Sequence, residues 1–152
     1  MRRATAGIIG GLAAGVAVSL AMDLGRRAGV LHKVLAEDAE DWLDRAANTR
    51  ARIGEGGTRA MEQANHMAAA AAFGIGYAWL RERLPALPAW GLGALYGAGL
   101  YVINIAGIAP LIGLTEGERN APAPVRAERL GLHVLYGVLT AVVADELANE
   151  RL

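Results

Sequence analysis

The sequence predicts an all-α fold, a membrane-embedded bundle of four transmembrane helices with an amphipathic acidic helix in the first connector. Charge placement is the first observation. No Asp, Glu, Lys or Arg occurs between Arg3 and Asp23, Glu62 and Arg81, Arg83 and Glu116, or Arg129 and Asp145. Charge-free windows separated by charged connectors read as membrane crossings. Composition is the second. Apolar residues other than glycine make up 54% of the chain, but they are mostly Ala, Leu and Val with a single Phe, and 20 glycines accompany them. That mixture fills a soluble core poorly and suits small-residue helix interfaces in lipid. The third is a stripe: glycines at 7, 11 and 15 continue into Ser19, Asp23 and Arg27, one residue every four. Such spacing keeps neighbours close on a helix surface. In water each glycine would cost about 1 kcal/mol relative to alanine, whereas in a bilayer it lets a second backbone approach closely. A soluble bundle would instead show charges on its outer face every turn.

These features predict one membrane domain over 1–152, with crossings at about 7–26, 62–80, 90–112 and 130–147. The second and fourth windows are short and Ala-rich, and reach spanning length only by including Met61 to Asn65 and Asp145 to Leu147. Trp79 and Trp90 flank the charged turn from Arg81 to Pro88, as aromatic anchors at one interface do. Pro110 should kink or end the third crossing. The basic residues do not decide orientation. Those of the long first connector argue for one side, and Arg2 and Arg3 for the other.

The first connector carries an amphipathic helix at about 31–53. Leu31, Leu35, Ala39, Trp42, Ala46 and Ile53 share one face, with Glu37, Asp38, Glu40, Asp41 and Asp44 on the other. An acidic polar face is wrong for anionic lipid, where Lys and Arg are usual. The apolar stripe should therefore meet protein: the rest of the bundle, a second copy or another subunit. The run Gly54 to Thr58 is expected to break this helix.

Antiparallel crossings place the end of the first, the start of the second, the end of the third and the start of the fourth on one side. Asp23, His66, Asn104 and His133 occupy those positions, and ionisable groups at membrane depth are candidate functional sites. Histidine titrates near neutral pH, so a proton-sensing or ion-handling layer is one reading. Simple interhelical hydrogen bonding is the other. Gly7, Gly11, Gly15, Gly93, Gly97 and Gly137 are the expected helix-packing positions. Glycine runs on the later crossings lack the strand and the Lys or Ser/Thr of a phosphate loop. The chain has no cysteine, which excludes disulfides and thiolate metal sites. Fifteen basic residues balance fifteen acidic ones, giving no sign of a nucleic-acid partner. No cofactor, metal or catalytic residue is expected.

From His66 onward the chain resembles the bacterial inner-membrane family typified by YagU. The matching elements are His66 with Gly74 and Tyr77, then Gly97, Gly113-Leu114 and the run His133-Val134-Leu135-Tyr136-Gly137. The opening helix ending at Met22-Asp23 is also similar. Relatives often carry an acidic residue late in the third crossing where this chain has Asn104. The resemblance implies an inner-membrane protein of unassigned biochemistry linked to acid tolerance. Together, these readings predict a non-enzymatic protein acting through helix association, as an oligomer or as an accessory subunit of a larger membrane complex. Its partners would be the bilayer and itself or another membrane protein, met through the glycine seams and the 31–53 helix. The alternative is a proton- or ion-linked transporter or channel component using the layer of Asp23, His66, Asn104 and His133.

Overall fold

The computed structural model describes residues 2–31 and 35–149. Residues 32–34 of the expected 31–53 helix, and the side chains of Leu35 and Glu37, lie outside the described residues. Among the described residues five helices follow in order: α1 Arg3–Arg27, α2 Leu35–Ala47, α3 Thr49–Arg83, α4 Ala89–Leu111 and α5 Ala123–Asn149. No strand occurs among the described residues. Within α4, the stretch Tyr101–Ile108 is π-helical.

Three helices, α1, α4 and α5, are long and apolar enough to cross a membrane, at 25, 23 and 27 residues. Their outward faces support that reading. Ile9, Leu12, Val16, Leu20 and Leu24 run along the exposed side of α1, and Trp90, Leu95, Val102 and Ile103 along that of α4. Water would not tolerate such contiguous apolar faces on a monomer. This is a membrane protein.

Helix α1 is the hub. It packs on α3 along one side and on α5 along another, and α5 packs in turn on α4. Helices α3 and α4 barely touch, so the cross-section is a ring with one loose joint. Missing side chains make the tight joints. A Cβ at Gly7 would strike the Gly74 carbonyl, and one at Gly11 the Ala70 carbonyl, both on α3. Gly15 faces Ala70 and Met67. Gly10, outside the expected stripe, opens a second seam towards Thr140 and Ala144 of α5. Between α4 and α5, Gly93 meets Gly137, and Gly97 meets the His133 backbone. The glycine seams named for outside partners are therefore filled within the chain. Gly99 and Gly131 meet nothing within 4 Å and take no part in packing.

Tyrosines complete these joints by reaching backbone. Tyr136 donates its hydroxyl to the Ala70 carbonyl and Tyr96 to that of Phe73, each at 2.6 Å. Both carbonyls lie in the Ala-rich stretch of α3, where short side chains leave the backbone accessible. The end near Tyr77 is closed by Ala6, Tyr77, Leu92, Ala141 and Ala144. There Arg81 pairs with Asp145 at 2.8 Å, and Tyr77 hydrogen-bonds the same carboxylate.

The first connector differs from expectation. The helix breaks at Asn48, in the left-handed region at φ 52°, a conformation that Asn tolerates better than most residues. Asp44 then accepts the Arg50 amide at 2.8 Å and so caps the new helix start. Helix α3 passes through Gly56 and Gly57, and only Gly54 departs from helical geometry, at φ 71°. The Thr58 hydroxyl donates to the Gly54 carbonyl and bridges that kink. Ile53 thus belongs to α3, and it is exposed. Outside the bundle proper, Arg50 pairs with Asp41 at 2.7 Å, which raises the guanidinium pKa further above its usual value.

Candidate functional site

A cavity of about 460 Å³ fills the loose joint between α3 and α4. Its walls come from the end of α1 (Val18, Met22), the middle of α3 (His66, Phe73), the π-helical part of α4 (Asn104, Ile105) and the start of α5 (Arg129, His133). Helix α2 lies over it with Ala39, Trp42 and Leu43 turned inward. Room exists here because the side chains are larger than at the glycine seams and because α4 is wider. Pro110 has no N–H, and its ring would collide with the Ala106 carbonyl in an ordinary helix. Bonding shifts by one residue instead, with the Ala109 amide donating to the Asn104 carbonyl. Such π-helical stretches recur at functional sites.

Three of the four polar residues expected in one layer, His66, Asn104 and His133, line this cavity. Asp23 does not. It is half-buried on α1 and pairs with Arg27 at 2.9 Å and Arg26 at 3.4 Å on its own helix. Steps of four residues each turn about 40° around a helix, so position 23 lies roughly 160° from Gly7 and faces away.

The His133 Nδ1–H donates to the Arg129 carbonyl at 2.8 Å. A carbonyl only accepts, so the neutral ring keeps Nε2 as an acceptor. The His133 ring also meets Tyr101 edge to face, with centroids 6.0 Å apart. His66 approaches the Gly15 backbone. Its Nε2, the Asn104 Nδ2 and the Arg129 Nε are buried without a hydrogen-bond partner. These three buried atoms have no hydrogen-bond partner within the protein, and a buried polar group without one is destabilising.

Arg129 is the strongest element of the site and was legible from sequence only as one charge of a connector. It is 7% exposed. Its guanidinium binds Glu118 at 2.6 Å and Asp38 of α2 at 3.3 Å. Glu118 also accepts the Tyr101 hydroxyl at 2.5 Å. Asp38, assigned to the solvent face of the amphipathic helix, instead points inward to this cluster. The α2 stripe shifts accordingly, with Leu43 buried and Ala46 exposed. Trp42 completes the attachment by donating its indole N–H to the Ile112 carbonyl at 2.9 Å.

Two carboxylates, Glu62 and Glu128, line the cavity beside the histidines. Among the described residues no three His, Asp or Glu side chains are grouped to hold a metal ion. The site consists of an apolar chamber, a helical cover and a few polar side chains on its walls. No family model, no curated protein and no solved structure matches this chain.

Proposed function

We propose that this chain is a non-enzymatic bacterial inner-membrane protein with four crossings, whose working part is the cavity beneath α2. It binds a small membrane-soluble molecule there, alone or as an accessory subunit of a larger complex. The observation that carries the reading is the apolar chamber itself, covered by α2 and lined by the polar residues His66, Asn104, Arg129 and His133. Kinship to the family typified by YagU, with its link to acid tolerance, belongs to the same proposal. Association through the glycine seams would require the intrachain contacts of Gly7, Gly11, Gly93, Gly97 and Gly137 to open, so the cavity is the better candidate for the working surface. A path for ions is a second reading, favoured by His66 and His133 facing one chamber. It would require passage through the closed core around Tyr77, Leu92 and Ala141.

Helix α3 supplies the fourth crossing in this reading. Its 35 residues extend about 50 Å, more than a bilayer core needs, so its first turns stand outside and carry α2. Because the chain has no cysteine, single cysteines at Glu55, Glu82 and Thr115 can be labelled from either side of the membrane. Four crossings put Glu55 and Thr115 on one side and Glu82 on the other, and Glu55 and Glu82 on the same side would remove the α3 crossing. Binding is tested by native mass spectrometry in mild detergent. Wild-type protein should retain a small apolar molecule that Ala69→Phe, which fills the chamber, does not. Equal retention by both proteins, or none by either, sinks the proposal.

A further inference from the structure

Resting on the cavity reading, the charges and the shape of the chamber narrow what it takes. We infer that it receives a single-chain amphiphile from the bilayer whose head is an organic cation without N–H groups, a quaternary ammonium, with Glu62 as the counter-charge. Charge is the first argument. Three charged side chains line the chamber: Glu62, Glu128 and Arg129. Arg129 is answered by Glu118 and Asp38, and Glu128 has a partner of its own. Glu62 is half-buried and has no cation beside it among the described residues. Arg59, one turn before it on α3, reaches Glu40 of α2 at 3.8 Å instead. His66, one turn after it, approaches the Gly15 backbone. The charged group nearest in effect is Glu40, a second carboxylate. A carboxylate held out of water beside a like charge attracts a cation strongly.

Shape is the second argument. Glu62 and Phe73 both line the chamber from α3, and eleven residues of helix set them about 16 Å apart along its axis. The space is therefore elongated, with its unanswered charge at one end. At the other, Phe73 packs with Leu100 in an apolar cluster that suits an alkyl chain. The loose joint between α3 and α4 lies beside the apolar outer surface of α4, where such a chain would already be dissolved. The nature of the head is the third argument. A primary ammonium carries three N–H donors, and largely apolar walls would leave most of them unsatisfied. An inorganic ion needs several oxygen or nitrogen ligands, and no such group of His, Asp or Glu occurs among the described residues. A quaternary ammonium needs neither, and aromatic side chains suit it. Trp42 on the covering helix supplies one.

The cavity carries its own reporter. Trp42 is one of three tryptophans, and Trp79 and Trp90 lie at the other end of the bundle. In the Trp79→Phe/Trp90→Phe protein, Trp42 alone fluoresces. Dodecyl probes brominated at mid-chain quench a nearby indole and can differ only in the head: trimethylammonium, primary ammonium, alcohol or carboxylate. In mild detergent the trimethylammonium probe should quench saturably, with an affinity about tenfold above each of the other three. Glu62→Gln should weaken that probe about tenfold and leave the alcohol unchanged, whereas Glu62→Asp, which keeps the charge, should keep the preference. Saturable quenching in which another head equals trimethylammonium, or in which Glu62→Gln has no effect, overturns the head assignment and leaves the cavity reading standing. Quenching that never saturates with any probe overturns both.

Discussion

The two ends of the bundle are built on opposite principles. Around Tyr77, backbone meets backbone through Gly7, Gly74, Gly93 and Gly137, and a half-buried ion pair, Arg81 with Asp145, closes the seam between α3 and α5. Arg81, Asp145 and Tyr77 are paired there, while the buried Thr140 hydroxyl beside Gly10 has no hydrogen-bond partner. At the other end α3 and α4 stand apart, α4 is widened by a π-helical stretch, and His66 Nε2, Asn104 Nδ2 and Arg129 Nε are left without partners. Close packing contributes dispersion on every side of each atom, which is the main attraction left between helices in lipid. One end therefore holds the bundle together, and the other keeps a chamber between α3 and α4.

This contrast can be broken from either end. The largest effect should come from Arg129→Ala, which removes the buried guanidinium joining Glu118 to Asp38 and so loosens α2 from the bundle. We expect a loss of about 3–5 kcal/mol, read by denaturing-detergent titration, together with proteolytic access to α2. A loss below about 1 kcal/mol would mean that α2 is held by other contacts. Next come the packed glycines. Gly11→Ala and Gly97→Ala force a Cβ against the Ala70 and His133 carbonyls and should each cost about 1–3 kcal/mol. Gly131→Ala, in open space on α5, should instead stabilise by up to about 1 kcal/mol. Equal effects at the three positions would show that the seams are not the closing element.

Smaller effects sharpen the picture of the chamber. Trp42→Phe removes one hydrogen bond to the Ile112 carbonyl and should cost about 1 kcal/mol, with faster amide exchange in α2 as the specific sign. Asn104→Leu should stabilise the empty protein by up to about 1 kcal/mol, because it removes an orphaned buried amide. Destabilisation of similar size would mean that Asn104 contributes to the fold, and the distinction between a closing end and a binding end would weaken.

Parts of this arrangement were readable along the chain. Small residues at every fourth position on α1 predicted a thin helix face, and counting antiparallel crossings brought His66, Asn104 and His133 to one level. Asp23 escaped that logic because helical drift carries it to the outer face, where Arg27 satisfies it locally. Gly10 escaped because it belongs to a second seam interleaved with the first. Asp38 looked like one acid on a solvent face, since its partner Arg129 is 91 residues away. Pro110 signalled an irregular α4, but a proline does not reveal whether a helix bends, stops or widens.

What the sequence determined by itself was local: which stretches are helical, which are free of charge, and where the backbone is bare enough for another to touch it. Those properties follow from propensity, hydropathy and periodicity within a window of residues. Tertiary structure alone decided that the bare seams close on one another inside the chain, and that α3 and α4 stay apart beneath α2. It also decided which polar atoms are left unpaired. These outcomes depend on contacts between residues far apart in sequence, such as Arg129 with Asp38 and Trp42 with the Ile112 carbonyl, and no local pattern encodes them.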